Sequence, residues 1–139
     1  MKVLIVGENG SAETLGEALE AEGVEARRTP GSRASGSGDE VGRIAAALVD
    51  LERLIEADPP DAVLLSSASN LALAAAVVAT KLRIPVASLE GETADEDRLS
   101  GVNGRLIEQL ADATLASDPA SVTRWLRAMG SAEPDPAGS

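Results

Sequence analysis

Continuous apolar runs alternate with amphipathic ones along this chain. "KVLIVG" (Lys2–Gly7) has no polar alternation and ends in glycine, the pattern of a strand covered on both faces. "SAETLGEALEAEG" follows as a helix, with Ser11 placed to cap it and Glu13 in the first turn, where the helix dipole favours a carboxylate. A full capping box from Ser11 needs Glu or Gln where Thr14 stands, and Gly23 supplies the stop. "VEARR" is a more polar strand, suited to a sheet edge, and Thr29–Gly38 is a loop by composition. From Asp39 to about Ala57, Val41, Ile44, Leu48, Leu51 and Ile55 recur at spacings of three and four, which stacks them on one face of a helix. "DPPD" breaks that helix and launches the strand "AVLLS".

The helix from about Asn70 to Leu82 is apolar nearly all round, so it packs on more than a sheet: on neighbouring helices, or on a second copy of the chain. "IPVASLE" is a fourth strand, with Pro85 tolerated near its start. "GETADEDRLSG" reads as an acidic loop, "VNGRLIEQLAD" as a short helix and "ATLAS" as a fifth strand. Asp118 and Pro119 then open a last helix, "ASVTRWLRAMG", the aspartate as cap and the proline in the first turn. Strand–helix alternation of this kind specifies an α/β fold: a three-layer, doubly wound, five-stranded parallel sheet, strands in the order 2-1-3-4-5, Rossmann- or flavodoxin-like. Residues 1–130 form one domain on this reading, and 131–139 a disordered tail. The switch point lies between strands 1 and 3, which turns attention to "GENGS" (Gly7–Ser11) and "SSASN" (Ser66–Asn70), the loops at its carboxyl ends.

Composition narrows the chemistry. There is no Cys, His, Phe or Tyr among the 139 residues, and Trp125 is the one aromatic side chain. Thiolate and imidazole chemistry, disulfides and Cys/His zinc sites are thereby excluded. Ala, Val and Leu fill the core. No apolar run has the length of a membrane span, and "MKVLIVGENG" is too short and strand-like for a signal peptide, so the expected location is cytoplasmic. A formal charge of −11, with lysine only at Lys2 and Lys81, argues against a nucleic-acid partner and suits a salt-adapted, halophilic protein whose self-repulsion is screened.

From Pro60 to about Arg127 the chain resembles the N-terminal domain of the UDP-N-acetylglucosamine 2-epimerase family, GT-B enzymes with two Rossmann-like domains and an active site between them. The resemblance is carried by "PDAVLL", "LALAAAVVATKLRIPVASLEG" and "NGRLIEQLADATLASDPASVTRWL". The family pattern there is a strand ending in Gly-Asp-Thr, a helix, Ile-Pro-Val-x-His-Val-Glu-Ala-Gly, and an Asn-Arg helix followed by Leu-Ala-Asp. "KVLIVG" fits the family's opening strand. The site positions depart from the pattern. The first family loop, Gly-Thr-Arg-Pro-Glu, falls on Gly7-Glu8-Asn9-Gly10-Ser11, without its Arg and Glu. The Gly-Asp-Thr triplet falls on Ser67, Ala68 and Ser69, and the family His on Ser88. The catalytic Glu is retained as Glu90, the next Glu falls near Gly101, and Asn103 matches the family Asn while Arg105 stands one place late.

The resemblance therefore implies Glu90 as the surviving catalytic position, and Glu8, Asn9, Ser67, Ser69, Asn103 and Arg105 as ligand-facing positions, with no cofactor and no metal. Each has a plainer alternative. "GENGS" also reads as a simple strand–helix turn, the serines and Asn70 as helix caps, and Arg105 as a surface residue paired with the acidic loop. Glu90, Glu92, Asp95, Glu96 and Asp97 offer oxygens to Mg²⁺ or Ca²⁺, or form a solvated acidic loop. Trp125 is a core plug or an interface anchor. A positioned acid or base contributes roughly 100- to 10,000-fold each, so the loss of two of three carboxylates leaves little epimerase rate. The expectation is a non-catalytic binding or assembly module, self-associating as a homodimer and taking a sugar or nucleotide-sugar ligand. The alternative is one subunit of a split GT-B enzyme whose C-terminal half is a separate chain. A receiver-type sensor is disfavoured, since no aspartate follows the third strand.

Overall fold

The computed structural model describes residues 1–7, 10–28, 40–66, 69–90, 98–116 and 118–131. Glu8, Asn9, Ser67, the Thr29–Gly38 loop, the acidic residues 91–97 and the tail 132–139 lie outside the described residues. Strands β1 (Lys2–Val6), β2 (Glu25–Arg28), β3 (Ala62–Leu65), β4 (Val86–Glu90) and β5 (Ala113–Ala116) alternate with helices α1 (Gly10–Ala21), α2 (Glu40–Ala57), α3 (Asn70–Lys81), α4 (Arg98–Leu110) and α5 (Pro119–Ser131). All four pairings are parallel and the order is β2-β1-β3-β4-β5, as the alternation of runs predicts.

The central strands are buried on both faces because a helical layer covers each. Leu4, Val6, Val63, Leu65 and Val86 face α2, α3 and α4, whereas Val3, Ile5, Leu64, Ala87 and Leu89 face α1 and α5. Alternation along each strand thus splits one apolar run between two cores. β2, with polar and half-exposed positions, lies at the edge. Helix α3 sits between α2 and α4 and on β3, and its alanines 72, 74, 75, 76 and 79 are fully buried. Their small side chains let three elements approach one helix, so the layer itself accounts for most of its all-round apolarity. Trp125 lies half-buried against the α1/α5 core, beside a layer otherwise built of aliphatic residues.

The amino ends of the strands are tied by a polar network. Lys2 N donates to Asp61 Oδ2 and Asp61 N to Lys2 O, both at 2.7 Å, which fixes β1 against β3. Asp58 accepts from Lys2 Nζ at 2.9 Å and pairs with Arg27 at 3.2 Å, while Arg27 Nη2 also donates to Asp58 O at 2.7 Å. Asp112 joins β4 and β5 in the same way, accepting from Val86 N at 2.8 Å and donating its own N–H to Val86 O at 2.8 Å.

Four expectations are corrected. Helix α1 begins at Gly10, so Ser11 lies in its first turn instead of capping it. Val41 is 78% exposed rather than core. Eighteen residues make α2 about 27 Å long, whereas five strand residues span about 17 Å, so its first turn overhangs the sheet. Helix α4 starts at Arg98, earlier than Gly101 suggested: a glycine lowers helix propensity by only about 1 kcal/mol and does not by itself end a helix. Ser131, assigned to the tail, is the last residue of α5.

Candidate functional site

The parallel order reverses direction between β1 and β3, and the crevice outside their carboxyl ends is where open α/β sheets take ligands. Ser66, just past β3, is 8% exposed and fastens that end: its N–H donates to Val6 O at 2.9 Å and its Oγ to the same carbonyl at 3.1 Å. Ser66 thus extends the β1/β3 ladder by one backbone bond and adds a side-chain bond at the floor of the crevice.

Ser69 caps α3. Its extended backbone (φ −76°, ψ 169°) turns the chain into the helix, its Oγ accepts from Ala72 N at 3.1 Å, and its carbonyl accepts from Leu73 N at 3.0 Å. The dipole of α3 makes this end of the helix a favourable neighbour for an anion. Asn103, 3% exposed in α4, donates from Nδ2 to Oδ1 of Asn70 at 3.1 Å. That bond brings α4 to the mouth of the crevice and fixes the orientation of two amides there. Arg105 is exposed on α4. Glu90 closes β4 in register with Ala116; its backbone is placed, while its side chain is outside the described atoms.

Of the positions expected from sequence, Ser69 and Asn103 thus belong to the α3–α4 side of the crevice, Arg105 is two residues further along α4, and Glu90 ends the neighbouring strand. Glu8, Asn9 and Ser67 fall outside the described residues. Asn70 was missed as Asn103's partner. Its signal was an amide opening an otherwise apolar helix, which reads equally well as part of a cap. Among the described residues no group of three or more acidic side chains is placed to hold a metal ion. The displaced pKa values belong elsewhere: Lys2 is raised and Asp58 lowered, each first by the hydrogen bond between them, and Asp118 is lowered by its cap bonds from Ser121. No helix among the described residues is long and apolar enough to cross a membrane.

No family model matches the sequence, and neither does any curated protein. Solved structures do match. The UDP-GlcNAc 2-epimerase of Methanocaldococcus jannaschii superposes with a TM-score of 0.70 at 22% identity, covering 96% of this chain and 43% of that one. The same enzyme in complex with UDP-GlcNAc and UDP gives 0.69 at 22%, covering 93% and 44%. The Neisseria meningitidis enzyme bound to UDP-GlcNAc gives 0.64 at 19%, covering 93% and 43%. The chain has the fold of these enzymes over somewhat under half of their length, as the resemblance in its motifs implied.

Proposed function

We propose that this domain binds a nucleotide sugar of the UDP-N-acetylglucosamine type in the β1/β3 crevice and does not turn it over by itself. The observation that carries the reading is the match, over nearly the whole chain, to part of enzymes solved with UDP-GlcNAc and UDP. The crevice supports a binding role: hydroxyls and amides from Ser66, Ser69, Asn70 and Asn103 gather around a helix N-terminus, which suits neutral sugar and anionic groups. The lack of turnover is argued from chemistry. Epimerisation at carbon 2 by elimination and re-addition needs groups that take and return protons, and the aligned family carboxylate and imidazole fall on Ala68 and Ser88. Glu90 remains as a single ionisable candidate at the end of β4. The test is an epimerisation assay on the purified chain with UDP-N-acetylglucosamine: binding without conversion agrees with the proposal, and measurable formation of the 2-epimer contradicts it.

A second reading is favoured by coverage. Because the chain spans about 43% of the matched enzymes, the domain also fits as one half of a two-body site completed by a second α/β unit. Co-purification with such a unit, and epimerase or glycosyl-transfer activity appearing only in its presence, distinguishes the two.

A further inference from the structure

We draw no further inference here: the strongest candidate, the uncharged outer edge of β5 at the end of the sheet, with half-buried Leu115 and Trp125 on one side of it and exposed Thr114 on the other, is an unpartnered strand edge, and nothing in the structure shows what covers it.

Discussion

Asn103 Nδ2 donates to Asn70 Oδ1 across 3.1 Å from a position only 3% exposed. The bond joins the middle of α4 to the first residue of α3, so a side chain that matches the family's motif in sequence is also a structural tie at the crevice mouth. Truncating Asn103 removes this tie from a buried position and leaves one acceptor of the half-buried Asn70 without it. Asn103→Ala is expected to cost about 1–3 kcal/mol in urea denaturation. Arg105→Ala, at an exposed site, is expected to change stability by less than about 0.5 kcal/mol, and to act on nucleotide-sugar affinity if it acts at all.

Two helices end in the same hydrogen-bonded turn with different residues at its strained position. After α1, Gly23 (φ 86°) occupies it, with Gly23 N donating to Glu20 O and Val24 N to Leu19 O, both at 3.0 Å. After α3, Arg83 (φ 63°) occupies it, with Arg83 N donating to Thr80 O at 3.2 Å and Ile84 N to Ala79 O at 2.8 Å. A side chain in this left-handed conformation costs roughly 1–2 kcal/mol. Arg83→Gly should therefore stabilise by about 0.5–1 kcal/mol after the entropy of an unfolded glycine is deducted, and Gly23→Ala should destabilise by about 1 kcal/mol. Thermal melts of both variants check the opposite signs.

Acid should weaken the fold through Asp118 and Asp58. The Asp118 carboxylate accepts from Ser121 N at 2.8 Å and Ser121 Oγ at 2.9 Å, and these bonds hold its pKa below the ordinary 3.8. Asp58 is held below it by Lys2. A folded-state pKa below the unfolded one means that the stabilisation is present above the unfolded value and lost as pH falls through the folded one. Lys2, raised above 10.5, has the reverse behaviour: its contribution is present below that value and lost as pH rises through the folded one. These three groups therefore leave the melting temperature level from about pH 5 to 9 and lower it below about pH 4. Asp118→Asn should flatten the acid limb while lowering the plateau.

Salt should act in the opposite sense from its effect on single ion pairs. The exposed pairs Arg127–Glu22 at 3.4 Å and Arg28–Glu13 at 3.8 Å contribute little and are screened readily. Repulsion among the excess carboxylates of a −11 chain is screened as well, which favours the compact state. The melting temperature is expected to rise between about 0.05 M and 1 M KCl, where the Debye length shrinks to about 3 Å. A falling melting temperature would count against salt adaptation.

The fold was legible because its signals were local and mutually consistent. Strands such as Lys2–Val6 and Ala62–Leu65 read as fully buried from their unbroken apolar runs, and Asp118-Pro119 marked the start of α5 by cap chemistry that the Ser121 bonds bear out. What misled was context. Gly101 and Gly104 lower the helix propensity of α4, yet a Cβ at either would meet nothing, so neither marks a turn or a close approach. Val41 keeps the periodicity of the α2 core face while standing beyond the sheet that the face packs on. At the site, Ser69 could be read as cap or ligand contact, and geometry establishes its cap bond without removing it from the crevice. Asn70 acquires its meaning from Asn103, 33 positions away, and no local pattern carries such a pairing.

The most direct test of the central claim is an NMR titration of the isotopically labelled chain with UDP-N-acetylglucosamine, with the sample analysed for the 2-epimer afterwards. Saturable shifts at the amides of Ser66, Ser69, Asn70 and Asn103, and an unconverted sugar, are the predicted result. Shifts confined to other surfaces, no shifts at all, or conversion of the sugar by this chain alone would contradict the account.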